Sequence, residues 1–472
     1  MKASSHNFTA NAHEALGDET LQRALVNVKV GFQKKRAAAL PGVPEWEELR
    51  DQAKAIKDHT IAHLDYYLER FADQVEGRGG KVHFARTAQE ANETILEICR
   101  SVGAETVTKG KSMVAEETGL NDFLEEHGIR PVETDLGEYI IQLRHESPSH
   151  IIAPAIHLTK GQVEKTFREN HTNLDPDRNL AEPISLVTEA RLELRRKYFE
   201  AGVGITGANF LVAETGSTII VTNEGNGDLT QMLPRVHVVL ASIEKIVPTL
   251  EDSASLLRLL ARSATGQEYS SYTTFSTGPK RPGDLDGPDQ FHVVLLDNGR
   301  SSMLGTEFQD MLRCIRCAAC MNHCPVYQAV GGHAYGWVYP GPMGAVLTPM
   351  LIGVEEAGNL PNASSFCGRC ESVCPMKIPL PKMMRHWRER EFERHLAPSA
   401  LRTGLKLWGL LARRPRLYHF AMDIAAWGLS LLGRGRGRFQ SLPLAGGWTS
   451  VRDLPAPEGS SFHAQYARRK SP

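Results

Sequence analysis

Residues 305–327 read GTEFQDMLRCIRCAACMNHCPVY, and residues 364–380 read SSFCGRCESVCPMKIPL. Seven of the chain's eight cysteines lie in these two stretches. The first holds Cys314, Cys317, Cys320 and Cys324 followed by Pro325, a C-x2-C-x2-C-x3-C-P run; the second holds Cys367, Cys370 and Cys374 followed by Pro375. Thiols in such tight, repeated spacings point to metal rather than to disulfides. Two-residue gaps let a tight turn bring successive thiolates onto adjacent corners of one iron-sulfur cubane while backbone N–H groups face its sulfurs, and the proline then turns the chain away. Zinc also takes four thiolates, but paired runs that each end in Cys-Pro suit a simple zinc ribbon poorly.

In two-cluster ferredoxins the fourth cysteine of each run ligates the other cluster. The expected ligand sets are therefore Cys314, Cys317, Cys320 and Cys374 for cluster one, and Cys324, Cys367 and Cys370 for cluster two. The second run is one cysteine short, because Ser364 stands three residues before Cys367. Its remaining iron position is open to Ser364, water, Cys99 folding over or a partner protein, or it is absent as in a three-iron cluster. Cys99 itself, in ETILEICRSVG four residues after Ile95, reads as a small apolar core residue of a helix. Forty-two residues separate Cys324 from Cys367, and they include MGAVLTPMLIGVEEAG, apolar at helical spacing. Residues 301–395 are thus expected to form a helical ferredoxin domain, by analogy with respiratory iron-sulfur subunits.

A chain of 472 residues leaves room for a large domain ahead of these cysteines. Residues 45–80 place Ile56, Ala62, Leu64 and Leu68 among charges at helical spacing, a long helix ending at the glycines of 77–80. Residues 1–75 are expected to be a helical extension packing on the next domain. From KVHFA (81–85) onward, short apolar runs alternate with helical stretches: 88–101, ETVTKGKSM, and a segment with Leu120 and Phe123. Further strand-like runs follow in GITGANFLVAETGSTIIVTNEGN, PRVHVVLAS and FHVVLLDN, with a helix in EDSASLLRLLARSATG opened by Asp252 or Ser253. Residues 76–300 therefore read as an α/β domain with a mainly parallel sheet. No repeat of solenoid period occurs.

Lys and Arg total 54 against 55 Asp and Glu, a formal net charge of -1, so no long-range field favours nucleic acid. The opening MKASSHNFTANAHEAL lacks a basic start followed by an apolar run, and a cytoplasmic location is expected. In the tail, 396–472, two apolar segments are split by Arg413, Arg414, Pro415 and Arg416. The longer, Leu417 to Leu432, contains His419 and Asp423 and is too short and polar to span a bilayer. With Trp427 and its flanking arginines it can lie peripherally on the inner membrane face or dock on a partner, the blander reading. The remainder, from Gly447, is expected to be mostly extended.

The α/β domain offers a second candidate site. Glycines at turns accompany Glu214, Asn223, Glu224 and Asn226, and such turns can admit a phosphate or carboxylate. Lys109, Lys111 and Ser112 can hold an anionic substrate, or else form a solvated loop. His150 and His157 can do acid-base work or simply pack. The G-x-G-x-x-G match at Gly202, Gly204 and Gly207 follows a helix and precedes a strand, the reverse of a dinucleotide site.

Five stretches carry a specific resemblance: KGKSMVAEETGLN (109–121), ETDLGEYIIQL (133–143), PSHIIAPAIH (148–157), AETGSTIIVTNEGN (213–226) and both cysteine runs. Together they resemble the lactate-utilisation iron-sulfur family, protein B of a three-protein system that oxidises L-lactate to pyruvate. The resemblance covers nearly the whole chain. It implies an N-terminal domain of the sugar-phosphate isomerase and CoA-transferase type, a helical domain with two [4Fe-4S] clusters and a short C-terminal family extension. The three-cysteine second run is similar to that of the family. The implied role is electron transport with the other two lactate-utilisation proteins as partners, one carrying Cys-Cys-Gly repeats and with them the substrate chemistry. This chain has no adjacent cysteines. Two rival readings are a self-sufficient hydroxy-acid oxidoreductase with its site in the N-terminal domain, and a cluster-based sensor or scaffold.

Overall fold

The computed structural model describes residues 3–433, 435–442, 446–449 and 452–470. Ten strands build two sheets: β1 (Lys81–Ala85), β2 (Thr106–Gly110), β3 (Arg130–Glu133), β4 (Val203–Thr206), β5 (Phe210–Val212), β6 (Ser217–Thr222), β7 (Val236–Ser242), β8 (Ile246–Val247), β9 (Tyr272–Ser276) and β10 (Gln290–Leu296). The main sheet has the order β1-β10-β7-β4-β2-β3, and every pairing in it is parallel. Its inner strands, VGIT and VHVVLAS, are buried throughout, as expected of strands covered by helices on both faces. The second sheet, β8-β5-β6-β9, holds the β5–β6 hairpin. Gly216 turns that hairpin with φ 65°, and a Cβ there would sit 2.7 Å from the Val75 backbone nitrogen.

The structure alters three local readings. The helix expected over 45–80 is two helices, Trp46–Ala62 and Leu64–Glu76, broken at His63. The break lets Trp46, Leu49 and Ala53 enter one core while Leu64, Phe71 and Val75 enter another, which a single straight helix could not do. The helix Leu250–Ala264 is opened by Thr249, whose hydroxyl accepts from the Asp252 N–H at 3.1 Å, rather than by Asp252 or Ser253. Third, the N-terminal helices do not pack on the α/β layer alone. Ser5 Oγ donates to the Tyr335 carbonyl at 2.9 Å, Gln33 Nε2 to Asn322 at 2.9 Å and Arg36 to Val373 at 3.2 Å, all in the cysteine-bearing half.

That half is built of short helices, among them Ala319–Asn322, Pro325–Val330, Gly341–Ile352 and Arg369–Ser372, packed around Tyr327, Tyr335, Val346 and Trp387. Residues 3–389 form one compact unit and the rest a second. In the second, Ser399–Ala412 and Pro415–Gly433 are helices separated at Arg413 and Arg414. Within the segment after Gly447, expected to be mostly extended, Phe462–Lys470 is a helix, with His463 stacked on His419 at 4.3 Å between ring centres. Among the described residues no helix is long and apolar enough to cross a membrane.

Candidate functional site

The two cysteine runs fold as the same backbone motif. Arg316 (φ 59°) and Ala318 (φ 60°) flank Cys317, and Phe366 (φ 53°) and Gly368 (φ 75°) flank Cys367. A one-turn helix follows each, Ala319–Asn322 and Arg369–Ser372. Left-handed non-glycine residues cost about 1–3 kcal/mol each and persist where surrounding contacts impose them, commonly at functional sites. In this correspondence Cys317, Cys320 and Cys324 match Cys367, Cys370 and Cys374, and Cys314 matches Ser364. Ser364 Oγ accepts the Phe366 N–H at 3.1 Å.

Cys314, Cys317, Cys320 and Cys374 line one small apolar cavity walled by Ile151, Met311 and Met343. Cys367 lies close enough to oppose the ionisation of Cys324, Cys324 and Cys367 that of Cys370, and Cys370 that of Cys320. Burial pushes Cys374 up to about 11 and Cys370 up to about 12, and raises Cys317 and Cys320 further. Such thiols give up their protons only to a strongly cationic centre. Among the described residues, no three Cys, His, Asp or Glu groups converge as a single ion would need. Four thiols lining one cavity are the soft all-sulfur donor set that an iron-sulfur cluster takes. Cys367 and Phe366 are exposed, whereas Cys324 and Cys370 are buried, so the second set reaches the surface of this unit at Cys367. Cys99 lies in a different core, with Ile95 and Leu96, its thiol pushed up to about 12 by burial. It is not available to the second site.

Buried arginines tie the first loop to the rest. Arg50 donates to the Cys374 carbonyl at 2.6 and 3.1 Å. Arg316, between Cys314 and Cys317, pairs with Glu244 at 3.1 Å and lies over the Tyr339 ring at 4.9 Å. Glu244 also meets Arg300 at 2.9 Å, and Arg300 grips Glu117 with two bonds, of 2.6 and 2.9 Å. Burial pushes the Glu244 carboxyl up, but Arg300 and Arg316 outweigh it and hold it at about 2.

A larger cavity of about 490 Å³ opens at the carboxyl ends of the parallel strands. Lys111 and Ser112 follow β2, Asp135 follows β3, Gly207 to Asn209 follow β4 and Lys245 follows β7; all line it. β2 leads away to β3 on one side, while β4, β7 and β10 progress to the other. The cavity thus spans the switch point between β2 and β4, where open α/β sheets bind ligands. Arg316 and Ile151 line both this cavity and the cysteine cavity.

Of the residues singled out from sequence, Lys111, Ser112, Asn223 and Glu224 line the cavity. Lys111 is paired with Asp135 and, at 3.4 Å, with Glu224. Lys109 is not there: it is buried between Glu116 and Glu133, 2.7 Å from each. Glu214 accepts the Leu250 N–H at 3.1 Å, and Asn226 is buried. His150 accepts the Ile152 N–H on Nδ1 and donates from Nε2 to Asn322 at 2.8 Å; burial pushes its pKa down to about 4. His157 bonds Glu146 at 2.8 Å. Neither histidine lines the cavity, so acid-base work there finds no support. Sequence reasoning missed Lys245, Arg316 and Glu138. A lysine directly after the buried run VHVVLASIE was the available signal for Lys245.

Comparison with known proteins agrees with this division. Residues 68–296 match the LUD domain, residues 310–378 a 4Fe-4S dicluster domain and residues 369–471 the C-terminal region of lactate utilisation protein B. Lactate utilization protein B of Bacillus licheniformis is 42% identical over 478 residues, covering 100% of this chain and 98% of the relative. The chain belongs to the lactate utilisation protein B family. Other members are as similar: the Bacillus subtilis protein is 42% identical and the Shouchella clausii protein 43%, each covering 100% of this chain and 98% of the relative. A solved DUF162 family protein from Deinococcus radiodurans matches 49% of this chain and 98% of its own at 15% identity and a TM-score of 0.25. Family membership, an α/β domain with a parallel sheet and a 4Fe-4S dicluster domain thus stand together.

Proposed function

We propose that this protein is the cytoplasmic electron-transfer subunit of a complex that oxidises L-lactate to pyruvate. In this reading Cys314, Cys317, Cys320 and Cys374 hold one [4Fe-4S] cluster. Cys324, Cys367 and Cys370 hold a second, completed by a non-cysteine ligand or left with three irons. An iron-sulfur cluster accepts and returns one electron at a time, at a potential set by its hydrogen bonds, net charge and exposure. The chain's own residues would hold the two sites as neighbours in the same unit, the second reaching the surface at Cys367. Arg50 and Arg36 fix the Cys374 loop, and Arg316 places a buried positive charge beside the first site. The observation that carries the reading is the four-thiol cavity, with Cys324, Cys367 and Cys370 within electrostatic reach of one another beside it. The other two lactate-utilisation proteins are the proposed partners, with the substrate-oxidising centre on one of them. The α/β half is read as the sugar-phosphate isomerase and CoA-transferase type.

The test is anaerobic purification with iron and sulfide analysis and EPR, with and without lactate and partners. About eight irons, or about seven with a three-iron second cluster, reduced by lactate only when partners are added, is the expected result. Reduction by lactate with this chain alone would place the chemistry in the α/β half. Clusters that cannot be reversibly reduced would favour a sensor or scaffold, and zinc without iron would overturn the reading.

A further inference from the structure

The wall of the large cavity carries one cation that has Glu244 within electrostatic reach but, among the described residues, no direct partner. Lys245 is only 7% exposed and lines the cavity, yet among the described residues its ammonium makes no hydrogen bond or ion pair. Its neighbours are all committed. Lys111 is held by Asp135 and Glu224, and Arg316 by Glu244, a carboxylate already shared with Arg300. Lys57 donates to the carbonyls of Glu244 and Ile246, at 2.5 and 3.0 Å, which clamps the backbone on both sides of Lys245. Lys57, Lys245, Arg300 and Arg316 therefore gather around two carboxylates, Glu117 and Glu244. A nearly buried ammonium without a direct hydrogen-bonded partner favours an anion that can meet it.

The charge of cluster one is not a sufficient partner. Cys314 is within electrostatic reach of Lys245, but Lys245 lines the large cavity and not the cysteine one. The rest of the large cavity is half apolar in character, with Ile140, Ile152, Pro154 and Leu260 on its wall, and its volume is that of ordinary small-molecule sites. An inorganic anion would leave those surfaces unused.

We propose that this cavity is a binding site for a small organic monocarboxylate, with the carboxylate on Lys245 Nζ and the carbon chain on the Ile140, Ile152 and Leu260 wall. The site lies beside the cluster-one loop, with Arg316 common to both. The assignment goes beyond electron transfer and does not depend on it, since it concerns occupancy and no redox step.

The experiment is calorimetric titration of the anaerobically purified, cluster-loaded protein with L-lactate, pyruvate, butyrate, hexanoate and inorganic phosphate. Carboxylates should bind in the millimolar range or tighter, phosphate at least tenfold more weakly, and hexanoate more tightly than butyrate by up to about fourfold per methylene. Lys245→Met should weaken carboxylate binding at least tenfold, and Lys245→Arg should restore it to within about threefold. Ser270→Trp, placed at the rim of the cavity, leaves every buried charge in position and should also block binding; it decides the matter if Lys245→Met fails to fold. The proposal is overturned if no carboxylate binds at about 10 mM. It is equally overturned if phosphate matches the carboxylates, if chain length has no effect, or if folded Lys245→Met or Ser270→Trp protein binds as the parent does.

Discussion

Arg300 is fully buried, and it is the only group that touches both Glu117 and Glu244 among the described residues. Replacing it with Met removes two bonds to Glu117, of 2.6 and 2.9 Å, and the 2.9 Å ion pair to Glu244. Glu117 keeps the Tyr339 hydroxyl and the Asn298 amide, and Glu244 keeps Arg316, so neither carboxylate is stripped bare. Breaking a buried pair from one side costs about 3–5 kcal/mol, most of it the desolvation of the charge left behind. Arg300→Met should therefore lose about that much in anaerobic urea unfolding followed by circular dichroism. Adding Glu117→Gln removes one stranded charge, so the double variant should be more stable than the sum of the single losses by about 1–3 kcal/mol. A loss below about 1 kcal/mol for Arg300→Met would refute the claim that this network holds the α/β half to the cluster-one loop.

Three further outcomes follow from named contacts. Cys374→Ser should remove the signal of cluster one and leave cluster two, whereas Cys367→Ser should do the opposite; equal loss of both in folded protein would reject the crossed ligation. Ser364→Cys should supply the ligand that Cys314 provides in the matching run, raising the iron count to about eight if the second cluster holds three irons, and otherwise changing its EPR signal. His237 is buried in β7 against Thr206 and its pKa is pushed down to about 3, so the folded form stays neutral while the unfolded chain takes a proton near pH 6.5. Stability attributable to His237 is thus full above about pH 6.5 and falls by about 1.4 kcal/mol per pH unit below it, until the folded form also protonates. His237→Asn should flatten that limb between pH 6.5 and 5.

The cysteine spacing was legible because cluster ligation is a local constraint, and Cys314, Cys317, Cys320 and Cys374, from both runs, line one cavity. The parallel sheet was legible for a related reason: runs such as VHVVLAS, buried on both faces, have no amphipathic alternation to confuse with anything else. What escaped were features made by distant segments meeting. Nothing around Lys109 distinguishes it from Lys111 in KGK, yet Lys109 is still in β2 and is buried with Glu116 and Glu133, whereas the strand ends at Gly110 and Lys111, at φ 60°, is turned onto the cavity. The break at His63 is likewise invisible locally, since it answers to two cores and not to any helix breaker. Lys245 and Arg316 are 71 residues apart in sequence, and only their common position on the cavity wall makes either of them chemically interesting.

The contacts of the first fifty residues bear on the order in which the molecule is made. Ser5 reaches Tyr335, Arg36 reaches Val373 and Arg50 reaches Cys374, spans of 330, 337 and 324 residues. A ribosome releases these helices long before their seats exist, so their exposed apolar faces must wait through the synthesis of the whole α/β domain. Closure of such long loops is slow and leaves aggregation-prone surface uncovered. The earliest segment of the chain and the late-made Cys374 loop can therefore meet only after the whole α/β domain between them has been synthesised.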